Sequence, residues 1–195
     1  MGETMHQLEI DKFQNQPFQH IKFSKIFTDE YALKLLGWLE KCVNWKLKTT
    51  DFYQQFECNL SSCMVPQDIQ YFRENFFLES LIRIIEDSFH TKIGININIS
   101  ATKMVEGQFV EIHNDYLSSE SSHRLIIYLN KGWEEKQGGG LVIFNSYDHE
   151  DIHEIILPNH NTGFAFKISG NSLHEVKSIV SGQRFSLVYT FYKKL

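Results

Sequence analysis

His113 and Asp115, a second histidine far downstream at His174, and Arg184 soon after it are the side chains whose types and order could do chemistry. Two imidazoles and one carboxylate can cap one face of a first-row metal ion, as in non-haem ferrous iron centres, and leave the opposite face free. An arginine just beyond the distal histidine points to what fills that face: a dicarboxylate co-substrate, gripped at its far end by a planar guanidinium. Side chains at i and i+2 of an extended segment project to the same side. His113 and Asp115 are therefore expected to meet one ion, with Asn114 turned away. The segment around His174 must fold back beside them, as the strands of an antiparallel barrel or sandwich do.

The elements that must position these residues divide into a supporting half and a β-rich half. Pro17 to Phe27 alternates apolar residues as a strand does, and Thr28-Asp29-Glu30 reads as an N-cap followed by an acidic first turn. A helix to about Val43 follows, with Tyr31, Leu35, Trp38, Leu39 and Cys42 along one face. Pro66 suits a first helical turn, and the spacing of Phe72, Phe76, Phe77, Leu81, Ile84 and Ile85 predicts a second packing helix over Asp68 to Phe89. After Lys92 come short apolar stretches separated by glycine, asparagine and serine. They predict strands over Ile93–Thr102, Gln108–Ile112, His123–Asn130, Leu141–Phe144, Ile152–Leu157, Thr162–Ile168 and Arg184–Tyr192. Gly138-Gly139-Gly140 turns one strand into the next and is too short to separate domains. The expectation is a mainly β, α+β chain forming one domain over 1–195, in which a helical region over 1–92 supports a β core over 93–195.

Composition excludes several function classes. At 195 residues and 42% apolar content the chain can bury a substantial core, so no second domain need be invoked. A net charge of −5 with scattered lysines offers no footprint for a phosphate backbone, so nucleic acid is not an expected partner. There is no apolar stretch of membrane-spanning length and no basic, apolar, small-residue leader pattern. A soluble, cytoplasmic protein without a membrane partner is the expectation. Cys42, Cys58 and Cys63 form no Cys-x-x-Cys pair, so neither a disulfide framework nor a thiolate zinc site is indicated, and buried or inert thiols are expected. His149-Glu150-Asp151 and Asp151-Ile152-His153 read as a solvated acidic loop, because no arginine follows at a useful distance.

Five segments in order, Gly107 to Asp115, Tyr128-Leu129-Asn130-Lys131-Gly132-Trp133, Gly138-Gly139-Gly140-Leu141, His174-Glu175-Val176 and Arg184-Phe185-Ser186-Leu187, carry a family resemblance. The C-terminal half resembles the prolyl 4-hydroxylase-type 2-oxoglutarate and Fe(II)-dependent dioxygenases. That resemblance implies a double-stranded β-helix, the cupin-like jelly roll, buttressed by two long N-terminal helices. It implies Fe(II), with 2-oxoglutarate and O₂ as co-substrates and ascorbate as an accessory reductant. The implied reaction hydroxylates an unactivated C–H bond of a prolyl residue or another amino-acid side chain, in a protein, a peptide or a free amino acid, while 2-oxoglutarate becomes succinate. Carried over by position, His113, Asp115 and His174 would be the catalytic iron ligands, and Arg184, Ser186 and Tyr128 would bind the distal carboxylate of 2-oxoglutarate. A carboxylate at Asp115 implies hydroxylation, since related halogenases have a small residue there. Trp133, Gly139 and Gly140 would be structural.

The chain departs from the family at Met104, where many relatives place a tyrosine; a thioether is a weak hydrogen-bond partner, so the cavity wall differs there. Thr190 stands where nucleic-acid dealkylating relatives carry a second arginine. Arg124 has two readings: inward on its strand with Ile126 and Tyr128, binding substrate or co-substrate, or solvated in a loop beside Ser121 and Ser122. Two other classes stay open, a zinc hydrolase built on the same His/Asp/His set and a non-catalytic cupin-like module that binds metal or ligand. Specificity is expected in the loops 114–122, 145–151 and 169–173 at the barrel mouth.

Overall fold

In the computed structural model, which describes residues 4–61, 63–116 and 121–194, two antiparallel sheets share a core with helices on the outer side of the larger one. In chain order the elements are β1 (His6–Gln14), β2 (His20–Phe27), α1 (Asp29–Lys41), β3 (Lys46–Thr49), β4 (Gln54–Asn59) and α2 (Asn75–Phe89). There follow β5 (Ile93–Val105), β6 (Val110–His113), β7 (Ser121–Tyr128), β8 (Leu141–Phe144), β9 (Ile152–Ile156), β10 (Thr162–Lys167), β11 (His174–Val176) and β12 (Gln183–Lys193). The larger sheet runs β1-β2-β10-β7-β12-β5-β4-β3 and the smaller β6-β11-β8-β9. This is the expected mainly β jelly roll with two helices.

Strand alternation sorts the core into two layers. On β12, Phe185, Leu187, Tyr189 and Phe191 join Leu125 and Ile127 of β7 under the helices, where Leu35 and Leu39 of α1 and Phe77, Leu81 and Ile85 of α2 meet them. The alternate residues of β7 and β10, Ile126, Tyr128, Phe164 and Phe166, pack between the sheets against Leu141 and Ile143 of β8 and Val176 of β11. β12 therefore turns Arg184 and Ser186 towards the inter-sheet space by the same alternation that buries its aromatics.

Three sequence-based expectations change. The region 1–92 supplies more than helices, since β1 to β4 form both edges of the larger sheet. The helix expected over Asp68 to Phe89 is interrupted: residues Gln67–Arg73 form a 3-10 turn, and α2 starts after Glu74. The cause lies in α1, where the Tyr31 hydroxyl donates to the Ile69 carbonyl at 2.7 Å and accepts the Phe72 N–H at 2.9 Å. Those two backbone groups are satisfied by a side chain instead of by continued α-helix. Thirdly, the three cysteines, though free, are brought together from separate elements. Among the described residues no helix is long and apolar enough to cross a membrane.

One buried histidine sets an acid limit on the fold. His123 packs on Phe89 with ring centroids 4.7 Å apart, and its Nε2 is buried without a hydrogen-bond partner. Burial, aided by Lys167 and Lys193, lowers its imidazole to about 4. The unfolded chain takes up that proton near 6.5, the folded chain only near 4, so protonation favours unfolding between the two values. The fold is fully supported above that window and loses about 3 kcal/mol on passing down through it. His123→Phe is expected to shrink the fall in Tm between neutral pH and a pH of about 5, measured by thermal melts of both proteins.

Candidate metal centre

His113 ends β6 and His174 begins β11, and the two are directly paired across the smaller sheet, with ring centroids 4.2 Å apart. Each ring is fixed through Nδ1, which lies 2.9 Å from the Glu111 carbonyl in His113 and 2.7 Å from the Ser172 carbonyl in His174. A proton on Nδ1 leaves Nε2 as the free lone pair, the form in which imidazole binds a metal. Burial first, then the neighbouring His113, lowers the His174 imidazole from its usual value, against the opposing pull of Asp115, which keeps it neutral at neutral pH.

Asp115 reaches the histidines by a different route from the i, i+2 alternation expected of an extended strand. β6 ends at His113, and Asp115 itself sits at φ 60, a left-handed conformation that aspartate tolerates better than most residues. Asn114 shapes this turn. Its side chain accepts the Tyr116 N–H at 3.0 Å and donates to Tyr147 and to the Gly170 carbonyl, both at 3.2 Å, while the Ser172 hydroxyl donates to its carbonyl at 2.8 Å. Asn114 thus points away from the histidines, and the carboxylate swings in. Asp115 Oδ1 lies 3.4 Å from His113 Nε2, and Oδ2 lies 3.5 Å from His174 Nε2. One ligand atom from each of the three residues falls within 4.8 Å of the other two. A first-row ion bonded at roughly 2.0–2.2 Å sets adjacent ligands about 3 Å apart, so the carboxylate already stands within a few tenths of an ångström of that spacing from each imidazole.

Arg124 is inside the site and not in a solvated loop. Its Nη1 lies 2.6 Å from Asp115 Oδ1. Burial alone would raise the Asp115 carboxyl, but the Arg124 charge, helped by the adjacent His113 and His174, outweighs it and holds the group well below the usual carboxylate range. Oδ1 is therefore occupied by the guanidinium, while Oδ2 is buried with no hydrogen-bond partner among the described residues.

Beside this cluster lies a cavity of about 230 Å³, bordered by His113, His174, Arg124, Arg184 and Ser186. Arg184 is 3% exposed and, among the described residues, has no carboxylate within ion-pair distance. Its Nε donates to the Gly139 carbonyl at 2.9 Å and its Nη1 to Ser186 Oγ at 3.1 Å, with Met104 Sδ at 3.8 Å. Accepting from Arg184 leaves the Ser186 hydroxyl proton free to donate elsewhere. Tyr128 lies across the ladder from Ser186, with the Arg184 guanidinium 5.2 Å above its ring. Burial pushes the Tyr128 phenol up to about 12 against the opposing Arg184 charge, and its hydroxyl is buried without a partner. Gly139 allows this approach: at φ +67 a Cβ there would meet Ile179 Cδ1 at 2.5 Å and Arg184 Cδ at 3.1 Å.

The residues present fit both groups that the sequence implies. An orphaned carboxylate oxygen beside two imidazole Nε2 atoms suits a divalent first-row cation. A buried guanidinium without a counter-charge, flanked by an uncommitted phenol and a serine hydroxyl, suits a carboxylate. The cavity is also lined by residues to which sequence reasoning gave no role in the site, Gln55 and Glu57 of β4, Asn98 and Ser100 of β5, and Thr190 of β12. Their signal is polar alternation, which falls within the strands expected over Ile93–Thr102 and Arg184–Tyr192 but reads as loop in β4. The loop histidines lie elsewhere: His149 is exposed with Nδ1 3.7 Å from Glu175, and His153 Nδ1 lies 3.2 Å from Asn145 Oδ1. Of the loop expected over 114–122, residues 117–120 lie outside the described residues.

A jelly roll that brings two histidines and a carboxylate together beside a cavity bordered by Arg124 and Arg184 has the architecture of the double-stranded β-helix class. Residues 99–192 match the model of the 2OG-Fe(II) oxygenase superfamily. Among solved structures the chain is similar to a Pseudomonas putida prolyl-4-hydroxylase, with a TM-score of 0.75 at 16% identity over 90% of this chain and 93% of that one. It is similar to a viral collagen prolyl hydroxylase from Paramecium Bursaria Chlorella virus-1, in complex with 2OG, with a TM-score of 0.64 at 14% identity over 90% of this chain and 96% of that one. A Trichoplax adhaerens prolyl hydroxylase in complex with a hypoxia inducible factor peptide fragment gives a TM-score of 0.65 at 12% identity, over 84% and 77% of the two chains. No curated protein matches by sequence. The matched region, residues 99–192, is similar to the 2OG-Fe(II) oxygenase superfamily and carries every residue of the candidate site, and the chain has the fold of the solved prolyl hydroxylases.

Proposed function

We propose that the chain is a 2-oxoglutarate- and Fe(II)-dependent hydroxylase acting on a C–H bond of an amino-acid residue within a peptide or protein, with prolyl as the first candidate. The observation that carries the reading is Arg184, a buried cation without a counter-charge among the described residues that shares one cavity with His113 and His174. The peptide preference is supported by the Trichoplax adhaerens relative, which is in complex with a peptide. In the proposed reaction one oxygen atom of O₂ enters the C–H bond, the other enters succinate, and CO₂ leaves.

His113 and His174, through Nε2, and Asp115, through Oδ2, would hold the iron. The metal, when bound, supplies O₂ activation with 2-oxoglutarate as the source of electrons. Arg184 and Ser186 hold the distal carboxylate of the diacid, and Tyr128 donates its phenol proton to the same group. Ile126, Leu141 and Val176 border the cavity and keep water from the reacting end. Arg124 positions Asp115, and its Nε, buried without a partner, remains for a substrate carbonyl or carboxylate. Gln55, Glu57 and Asn98, which also border the cavity, offer polar groups to a peptide backbone.

The test is turnover of the purified protein with Fe(II), ascorbate, 2-oxoglutarate and a proline-containing peptide library, read by succinate release and by a gain of one oxygen in the mass spectrum. Peptides gaining one oxygen in step with succinate are expected. Iron-loaded protein that neither binds 2-oxoglutarate nor releases succinate with any substrate would sink the proposal.

A further inference from the structure

A second set of ligand atoms gathers away from the cavity. The chain has three cysteines, and all of them converge, although they come from different elements. Cys42 caps the C-terminus of α1, Cys58 lies on β4, and Cys63 sits in the turn after it; their sulfurs lie within 4.8 Å of one another. We propose that these three thiolates bind a thiophilic d10 cation, Zn²⁺ or Cu⁺, in a three-sulfur site that ties the end of α1 to the β3–β4 hairpin.

Distance favours an ion over a disulfide. Zinc–sulfur bonds of roughly 2.3 Å set sulfurs on a common ion about 4 Å apart, so the cluster needs to close by less than about 1 Å. A disulfide would need two sulfurs at about 2 Å and would leave the third without a role. Soft thiolates select Zn²⁺ and Cu⁺, whereas imidazole and carboxylate suit the iron of the cavity, so the two sites differ in the metal they select. Three sulfurs complete a trigonal Cu⁺ site or leave one open position on tetrahedral Zn²⁺.

Without a metal the thiols are neutral, with Cys58 pushed up to about 12 by burial and Cys63 Sγ donating to the Met64 carbonyl at 3.6 Å, so metal uptake would release their protons. The Asn44 side-chain amide donates to Cys63 Sγ at 3.2 Å, an orienting contact of the kind that fixes ligand sulfurs. Arg73 Nη1 donates to the carbonyls of Leu60 at 2.9 Å and Cys63 at 3.4 Å, which pins the turn that carries Cys63. The C-terminus of α1 carries the partial negative charge of its unpaired carbonyls and favours a nearby cation. Cys58 is buried, whereas Cys42 and Cys63 are half-buried and leave an entry path. Position gives the site a consequence, because Cys58 faces the helices while Gln55 and Glu57 of the same strand border the cavity. The ion would lock the strand that forms one cavity wall.

The experiment uses full-length, reduced His174→Ala protein, so that the cavity ligands are disabled, titrated with Co²⁺ as probe. A thiolate-to-cobalt charge-transfer band in the near ultraviolet, saturating at one equivalent and bleached by Zn²⁺, is expected. A parallel titration with Cu⁺ against a chromophoric chelator ranks the two d10 ions. Cys63→Ser and Cys42→Ser are each expected to weaken Zn²⁺ by at least about 10-fold, with far-ultraviolet circular dichroism verifying the fold; these positions are the less buried of the three. Absence of a thiolate band with all three thiols reduced, a band unaffected by both substitutions, or disulfide formation without metal uptake would each overturn the proposal.

Discussion

Replacing Asp115 or His174 with alanine is expected to cut iron-dependent succinate release by more than about 100-fold, beyond the ~10–100-fold typical of losing a partner that merely orients a ligand. His149→Ala is expected to leave it unchanged, although His149 also stands close to a carboxylate, Glu175. The contrast rests on geometry. Asp115 Oδ2 is buried without a hydrogen-bond partner and shares its immediate surroundings with two Nε2 atoms, whereas His149 is exposed on a loop. Losing Asp115 also strands Arg124, whose Nη1 lies 2.6 Å from it, as a charge without its partner. Asp115→Ala should therefore lower Tm as well as activity, and Asp115→Asn, which keeps the volume and a hydrogen-bond acceptor, should restore part of the Tm and little of the activity. Iron content by metal analysis, Tm and succinate together separate ligand loss from misfolding. Retention of both iron and succinate release in Asp115→Ala would mean that the metal lies elsewhere.

Where local sequence decides structure, the chain was legible. Thr28 caps α1 with its hydroxyl accepting the Tyr31 N–H at 3.4 Å, and Leu141–Phe144 is a strand buried at every position. Where a distant partner decides, it was not. The break before α2 depends on Tyr31 reaching across to Ile69 and Phe72, which no local periodicity encodes. β4 escaped notice because its alternation is between a helix-facing residue such as Cys58 and cavity-facing Gln55 and Glu57, so a polar face stands where a buried one is expected. β1 is an edge strand with mostly exposed side chains and carries almost no apolar pattern. The candidate site shows the same division. His113, His174, Arg184 and Ser186 follow from spacing and strand alternation, and they do border one cavity. The left-handed turn that delivers Asp115 and the Arg124 contact that occupies its Oδ1 depend on Asn114, Ser172 and the packing of two sheets.

Arg184→Ala is expected to weaken 2-oxoglutarate by about 2–5 kcal/mol, or roughly 30- to 5,000-fold in Kd, as for loss of one partner of a buried, hydrogen-bonded charge pair. Iron affinity should change little, because Arg184 contacts Gly139, Ser186, Met104 and Tyr128 and none of the three metal-site residues. Arg184→Lys should recover only part of the loss: an ammonium keeps the charge but not the fork that binds a carboxylate through two parallel hydrogen bonds while still donating to Gly139 and Ser186. Stability provides an independent check on the role. Without a ligand, Arg184 is a desolvated cation with no counter-charge, and burial lowers its guanidinium from the usual value. A flexible apolar side chain of similar length removes that unfavourable term, so Arg184→Met should be as stable as the parent protein without ligand or more so. On adding 2-oxoglutarate only the parent should gain Tm, since a ligand that binds the folded state alone stabilises it in proportion to its affinity. Thermal melts of both proteins with and without 2-oxoglutarate, alongside direct Kd measurements, read the whole argument. An Arg184→Met protein that is strongly destabilised when free yet still gains Tm with 2-oxoglutarate would make Arg184 a structural cation and move the co-substrate site elsewhere.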